Sequence, residues 1–261
     1  MHHLLAGQRV DGVTTLDDQL FLLLTDRIEV YRTTDHSLSH HIPLPGLNGH
    51  KWNDLTSCEL HRCLYVSDCE GTCVRRVAMD GSESKWPVSD KPRGLWVTTG
   101  DRNLLVTCVG GRKLIQLNPA GEVVREISFQ VDIELPWHAV SQLMSGSSSV
   151  QFVVCHGLAA SSLHRVCLVN ADGQILCSFG GNRGCDLDHL NIPCYMAIDN
   201  RSRSVIVADY CNRRVVQLDE SLQFRRTIVD HLSGEPRRMH FNHVTRRLYV
   251  AIENTVCVVQ L

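Results

Sequence analysis

Six copies of a short-strand pattern fill the chain and constrain its fold more than any other feature. In the clearest copy, residues 205–219, an apolar strand ends in an acidic residue, a polar loop follows, and a second apolar strand begins. The copies start 43, 40, 47, 54 and 43 residues apart. A repeat of about 40–50 residues made of short strands is typical of a β-propeller blade. The strand that opens the pattern in each copy, which becomes the second strand of its blade, is Phe21–Thr25, Leu64–Asp68, Leu104–Cys108, Gln151–Cys155, Val205–Asp209 or Leu248–Ile252.

Turn residues divide each repeat into four strands. Asn, Asp, Ser and Gly cluster at the predicted turns, because they tolerate left-handed backbone or bond to it with their side chains. The turn between the third and fourth strands recurs as Asp80-Gly81, as residues 118–121 and as Asp172-Gly173. We therefore predict an all-β protein, a six-bladed β-propeller of four-stranded antiparallel blades. The predicted blades are 10–47, 48–90, 91–132, 133–181, 182–232 and 233–261.

The sixth predicted blade is one strand short. Its third strand, Thr255–Gln260, is followed by a single residue, whereas an unassigned apolar strand at residues 3–6 precedes blade one. Closing the ring removes two sheet edges that would otherwise promote aggregation. We expect the segment 1–9 to supply the missing strand of blade six, so that residues 1–261 form one domain.

Composition narrows the class of protein. The formal net charge is −2, and the chain has no apolar run of the ~18–20 residues that a membrane span needs. The first twelve residues do not resemble a secretory signal. Most of the twelve cysteines lie scattered inside apolar strands, where free thiols behave as small hydrophobic groups. We predict a monomeric cytoplasmic protein with free thiols and no membrane partner.

Blade five resembles the repeat of NHL propellers. That repeat has an inner strand of the type P-x-x-x-A-[VI]-D and continues as [IV]-x-V-A-D-x-x-N-x-R-[IV]-x-x-[FL]-D. Blade two matches it in part, through residues 64–68 and the turn at Asp80-Gly81. The other blades keep proline-led inner strands at Pro92, Pro136 and Pro236. The matching positions in blade five are Pro193, Ala197, Ile198, Asp199, Val207, Ala208, Asp209, Asn212, Arg213, Val215, Leu218 and Asp219.

The resemblance implies an interaction function. NHL propellers often form the C-terminal substrate- or RNA-binding module of tripartite-motif ubiquitin ligases. The RING and B-box modules of those ligases use paired Cys-x-x-Cys spacings, and these 261 residues contain none. We therefore expect a TRIM-NHL-like scaffold without ligase chemistry of its own.

Basic residues in loops predict where a partner binds. In a propeller, the loops between blades and those between strands two and three share one face, called here the loop-rich face. The arginine pairs 213/214 and 237/238 belong to it, although acidic residues such as Asp186 and Asp188 dilute its charge. A protein partner is predicted, with RNA as the alternative. The predicted binding residues are Arg213, Arg214, Arg237, Arg238, Arg93, Lys51 and His138.

Other polar clusters are interpreted as structural. Asp209, Asn212 and Arg213 flank one loop, where a carboxylate and a guanidinium can hold the backbone in place, and Asp68 occupies the same position in blade two. The cysteines at 58, 63, 69 and 73, with His61, lack the Cys-x-x-Cys spacing of structural zinc sites. We assign no metal and no cofactor.

Two alternatives to a non-catalytic interaction scaffold stay open. One is a metal-dependent hydrolase or lyase of the gluconolactonase type, with Asp54 and His138 in the channel, although no nucleophile, phosphate-loop or dinucleotide motif appears. The other is an extracellular propeller of the LDL-receptor type, which the segment 64–68 resembles faintly. The scattered cysteines and the N-terminus that does not resemble a secretory signal argue against this extracellular alternative.

Overall fold

The chain forms a ring of six antiparallel four-stranded sheets, as predicted. The structure is a computed structural model that describes residues 2–47, 53–143, 150–158 and 160–261. Each sheet is one blade, and its strands follow one another from the channel outward in chain order, except in the blade that closes the ring. The predicted binding residue Lys51 lies outside the described residues.

The strand bounds follow the sequence pattern closely. Alternating apolar residues and terminal turn residues make each segment a strand with one or both faces buried. The strands are β1 His2–Leu5, β2 Gly12–Leu16, β3 Gln19–Leu23, β4 Arg27–Arg32, β5 Leu38–Pro43, β6 Leu55–Cys58, β7 Cys63–Asp68, β8 Cys73–Ala78, β9 Glu83–Pro87, β10 Pro92–Val97, β11 Leu104–Cys108, β12 Lys113–Leu117, β13 Val123–Ser128, β14 Pro136–Leu143, β15 Val150–His156, β16 Leu163–Val169, β17 Ile175–Asn182, β18 Pro193–Asp199, β19 Ser204–Asp209, β20 Arg214–Leu218, β21 Phe224–Val229, β22 Pro236–Asn242, β23 Arg247–Ile252 and β24 Thr255–Gln260.

The N-terminal strand closes the ring, which confirms that prediction. Strand β1 pairs antiparallel with β24, and the register places His2 opposite Val258 and Leu5 opposite Thr255. Two backbone hydrogen bonds continue the closure, from Ala6 N to Asn254 O at 2.9 Å and from Val10 N to Glu253 O at 2.7 Å. Blade six is therefore built from both ends of the chain.

The six inner strands surround the central channel. Each contacts the inner strand of the next blade, in the order β2, β6, β10, β14, β18, β22 and back to β2. Apolar clusters fill the space between successive blades, so the core is distributed around the ring. Buried Cys58 and Cys63 belong to the cluster between blades two and three, and all twelve cysteines are free thiols.

Inner strands begin at the loop-rich face. It is built from the loops between blades and from those joining second and third strands. Within the described residues, these loops are 6–11, 24–26, 44–47, 53–54, 69–72, 88–91, 109–112, 129–135, 157–158, 160–162, 183–192, 210–213, 230–235 and 253–254. The loop at Tyr210–Asn212 forms one turn of 3₁₀ helix. In the part of the chain that the structure describes, no helix has the length and apolar character needed to cross a membrane.

Candidate functional site

A β-bulge near the start of four inner strands shapes the channel mouth. The strand pairing shifts by one residue between Pro92 and Gly94, and the same shift occurs after the first proline of β14, β18 and β22. A bulge inserts an extra residue and re-aims its side chain. The extra residues stand at the loop-rich end of the channel and form the set called here the bulge ring: Arg93, Trp137, Cys194 and Arg237.

The bulge ring is held by contacts among its members and to nearby loops. The Arg93 guanidinium carbon lies 4.1 Å from the centroid of the Trp137 ring, a cation–π contact. Trp137 Nε1 donates to Gly157 O at 3.0 Å, and Arg237 Nη2 donates to Tyr210 Oη at 3.1 Å. These contacts fix two guanidinium groups beside aromatic rings at the mouth.

An apolar cleft opens between these residues at the mouth. The guanidinium groups are its polar border, and the rest of its lining is apolar. Its empty space, counted together with the open solvent at its entrance, is about 370 Å³. Its lining residues are Trp137, Leu158, Ile192, Cys194, Tyr210, Arg237 and Arg238.

The residue after each bulge points into the channel instead. These residues are Gly94, His138, Tyr195 and Arg238, and the last three are buried. A Cβ atom on Gly94 would lie 2.7 Å from the His138 ring, so glycine is needed for this close approach. The proline-led starts of the inner strands thus place one side chain at the mouth and the next in the channel.

Asp54 is the centre of a polar network that plugs the channel. Its carboxylate accepts hydrogen bonds from Leu55 N at 2.9 Å, Leu95 N at 2.8 Å and Tyr195 Oη at 3.0 and 3.1 Å. Arg238 Nε lies 3.3 Å from Asp54 Oδ1. Three groups from three other blades, together with the N–H of the following residue, therefore satisfy one buried carboxylate.

His138 completes the plug as a neutral imidazole. Its Nε2 is 3.1 Å from Leu95 O and its Nδ1 is 3.3 Å from Met196 N, which assigns the proton to Nε2 and the acceptor role to Nδ1. Its ring stacks on that of Tyr195 with centroids 3.9 Å apart. Burial lowers the pKa of His138 to about 3 and raises the pKa of Asp54 to about 6. The charged forms of both groups are disfavoured by loss of solvent.

The channel residues do not fit a divalent cation. Both ring nitrogens of His138 are engaged by backbone groups, so the ring offers no lone pair that faces Asp54. The Asp54 oxygens face two backbone N–H groups, a phenol and the Arg238 guanidinium, and that positive charge repels a metal ion. The arrangement favours a structural plug over a metal centre.

Acid is expected to destabilise the fold through its buried histidines. His138 and His156 have folded pKa values of about 3, well below the ~6.5 of an unfolded histidine. Between these values the unfolded chain binds more protons, so stability is present above pH ~6.5 and is lost as the pH falls. At pH 5 each of these histidines lowers the free energy of unfolding by about 2 kcal/mol relative to neutral pH. Asp54 acts in the opposite sense, because its pKa is raised to about 6, but burial lowers the pKa of a third histidine, His240, to about 3 as well.

The measurement is urea unfolding at pH 7 and pH 5 for the wild type and two variants. We expect His156→Gln to flatten the pH dependence, because it removes one titrating group. His231→Gln is the control, since the side chain of His231 is 95% exposed. Equal pH dependence in His156→Gln and the wild type would contradict the assignment.

Acid–base pairs that include Asp209 and Asp68 anchor the between-blade loops. Asp209 accepts from Arg214 Nε at 2.7 Å, from Asn212 Nδ2 at 2.8 Å and from Asn191 N at 2.7 Å. Arg214 also donates to the carbonyl groups of residues 185, 186 and 189. The predicted partner Arg213 instead adopts left-handed backbone with φ 50° and is exposed.

Blades two and four contain related anchors. In blade two, Asp68 binds Arg75 at 2.8 Å, and Arg75 donates to Pro45 O and Gly46 O. In blade four, His156 takes the acidic position and accepts from Arg165 Nε at 3.3 Å, while Arg165 reaches a carbonyl of loop 129–135. A histidine in place of the acid hid this third anchor from the sequence pattern.

The predicted basic surface is therefore smaller than expected. The four arginines were predicted to converge on one exposed face, and this is wrong for Arg214 and Arg238, which are buried at 6% and 4% exposure. Arg93 and His138 are also buried; the Arg93 guanidinium packs over the Trp137 ring, and the His138 ring stacks on that of Tyr195. Arg213 is exposed, and Arg237 is partly exposed in the cleft wall. Whether any of them contacts a partner stays a prediction.

Comparison with known proteins supports the fold and nothing beyond it. No protein-family model and no curated protein sequence matches the chain. Among solved structures, hydrazine synthase from Kuenenia stuttgartiensis is similar with a TM-score of 0.69 and 15% identity, over 98% of this chain and 96% of that one. A catalytically inactive virginiamycin B lyase from Staphylococcus aureus with quinupristin has a TM-score of 0.68 and 12% identity, over 100% and 98%. A protein of unknown function from Bacteroides caccae has a TM-score of 0.65 and 19% identity, over 90% and 82%. These likenesses support the propeller architecture and establish no activity.

Proposed function

We propose that this propeller is a non-catalytic interaction scaffold that binds a protein partner through its loop-rich face. One observation carries the proposal: the Asp54 carboxylate and the His138 imidazole of the channel have partners within the fold, whereas the mouth keeps an apolar cleft bordered by guanidinium groups. Aromatic and arginine side chains of this kind are enriched at protein interfaces. The likeness of blade five to NHL repeats supports a recruiting role such as substrate recognition for a ubiquitin ligase.

The competing function is an enzyme activity, hydrolysis or elimination, at a site in the channel. It requires Asp54 and His138 to reach a substrate, but both are 0% exposed and their polar atoms already have partners. A general base must come within hydrogen-bond distance of the substrate proton. The geometry therefore favours binding at the mouth over chemistry in the channel.

Partner capture from a nuclease-treated cell lysate tests the proposal. We expect the double variant Arg213→Gln/Arg237→Gln to lose the partners that the wild type captures, while its melting temperature stays nearly unchanged. Both side chains lie on the loop-rich face, and neither has an ion pair within the described residues.

The control Arg201→Gln/Arg226→Gln removes the same charge from blade five. Arg201 lies in the turn between the first two strands of the blade, and Arg226 lies on its exposed outer strand. Neither position belongs to the loop-rich face, so we expect capture of the partner to stay intact. Capture that survives the first double variant, together with turnover of an ester or lactone that Asp54→Asn abolishes, would overturn the scaffold function.

A further inference from the structure

One guanidinium at the mouth of the channel lacks acceptors. Arg237 Nη2 donates to Tyr210 Oη at 3.1 Å, but the buried atoms Nε and Nη1 have no hydrogen-bond acceptor among the described residues. An arginine carries five N–H donors, and three of them are on these two atoms. A buried donor without an acceptor is unfavourable, so an acceptor brought to Arg237 by a ligand adds a bond that the fold itself does not supply.

The charge around Arg237 indicates an anionic acceptor. Arg93 and Arg238 lie close enough that the charge of Arg238, after burial, helps to lower the pKa of Arg93 to about 10. Arg237 and Arg238 line the cleft, and Arg93 lies over the Trp137 ring in its wall, while Arg238 is also paired with Asp54 in the channel. A carboxylate placed in the cleft is attracted by the Arg237 and Arg93 charges, and charge-assisted bonds to arginine are the stronger kind.

The apolar wall of the cleft is held in place before any ligand arrives. Ile192 has φ 59°, a left-handed conformation that is unfavourable for a β-branched residue. Its backbone is pinned on both sides: Ile192 N donates to His164 Nδ1 at 2.8 Å, and Ile192 O accepts from Tyr210 N at 3.2 Å. Strained backbone that its surroundings enforce is characteristic of ligand sites, and a rigid wall lowers the entropic cost of binding.

We propose that the cleft binds a short acidic–apolar segment of the protein partner, in which an Asp or Glu carboxylate contacts Arg237 and a neighbouring aliphatic side chain enters the apolar lining. This inference rests on the proposed function and specifies its partner. The cleft is open to solvent on one side, so a side chain of a bound segment can enter it. Leu158 and Ile192 contact the aliphatic group, and rotation of the Arg237 side chain turns its unsatisfied donors toward the carboxylate.

An acidic peptide fits this site better than RNA does. Proteins bind single-stranded RNA by stacking its bases on exposed aromatic rings. The ring of Trp137 is not available for this, because Trp137 is 3% exposed and is covered by Arg93. The neighbouring loop 183–192 carries exposed Asp186 and Asp188, which repel a continuous phosphate backbone. A single carboxylate meets Arg237 without crossing that loop.

Selection from a displayed random heptapeptide library on the intact protein tests the inference. We expect enrichment of Asp or Glu next to Leu, Ile or Met. A selected peptide should bind at least about tenfold more weakly to Arg237→Gln and to Leu158→Asn, the change expected from losing one charge-assisted contact or the apolar lining. Arg237→Lys should give an intermediate loss because it keeps the charge without the planar fork. The control Arg201→Gln should change affinity by less than about twofold.

Each outcome decides between the alternatives. Peptides without the acidic–apolar pattern, or peptides that bind Arg237→Gln as well as the wild type, overturn the inference. If no peptide is enriched but the loop-rich-face variant still loses its captured partner, the cleft assignment fails and the scaffold function stands. Tighter binding of random single-stranded RNA than of any peptide, lost in Arg237→Gln, assigns the cleft to nucleic acid instead. If Arg237→Gln fails to fold, Leu158→Asn and Arg237→Lys give the same decision.

Discussion

Deleting residues 1–9 is expected to destabilise the protein by several kcal/mol and to cause aggregation. The deletion removes β1 from blade six and leaves β24 as an unpaired edge. It also removes the buried side chain of Ala6 and the hydrogen bond from Ala6 N to Asn254 O. Each lost backbone bond contributes about 1 kcal/mol, and the total is a large share of the ~5–15 kcal/mol that holds a typical domain together. Urea unfolding and size-exclusion chromatography measure the two effects.

A point variant and a peptide serve as controls for the deletion. Leu5→Ser alters an exposed residue of the same strand, 72% exposed, and should change stability by less than about 0.5 kcal/mol. A synthetic peptide of residues 1–9, added in trans, should restore part of the lost stability by strand addition. A truncated protein that unfolds at the same urea concentration as the parent and stays monomeric would contradict the closure.

Replacing Arg214 by Met is expected to cost about 3–5 kcal/mol, the usual effect of breaking a buried ion pair from one side. The substitution leaves the Asp209 carboxylate, at 0% exposure, without its cation. It also leaves three carbonyl groups of loop 183–192 without their donor. That loop forms part of the loop-rich face, so partner capture should weaken together with stability.

Arg213→Gln is the matched control, because the adjacent residue is exposed and its guanidinium takes no part in this anchor. Its free energy of unfolding should stay within about 0.5 kcal/mol of the wild type. Equal stability of the two variants would show that Arg214 is not an anchor and would restore the expectation that both arginines are surface residues.

The fold was predictable because its signals are local. Alternating apolar residues and turn residues define each strand, and β11 and β24 begin and end where the sequence places them. The shortage of one strand in blade six, beside an unassigned strand at the N-terminus, was enough to predict closure. These inferences need only periodicity and the cost of open sheet edges.

The site was harder to predict because neighbouring residues in an arginine pair have different environments. Arg213 is exposed in a left-handed turn while Arg214 enters the strand and reaches Asp209. At the bulge of β22, Arg237 points to the mouth and Arg238 to the channel. Treating each pair as one surface element ignored the alternation of side chains along a strand.

Some signals for the site were present in the sequence, and others were not. A proline followed by Arg, Trp or Cys at four inner-strand starts marks the bulge ring, and the repeated position could have identified it. The contact between Asp54 and Tyr195 joins residues 141 positions apart and depends on the closed ring. No local pattern indicates that contact, so the channel plug had to be found in three dimensions.

Hydrogen–deuterium exchange of the propeller with and without its captured protein partner tests the central claim most directly. The account predicts slower exchange in loops 183–192, 210–213 and 230–235 of the loop-rich face, and unchanged exchange in the turns at 200–203 and 219–223 on the opposite face. A bound partner suppresses the local opening of the backbone that it covers, and amide exchange in that segment becomes slower. Protection confined to the opposite turns or to the outer strands would contradict the claim that the loop-rich face is the binding surface.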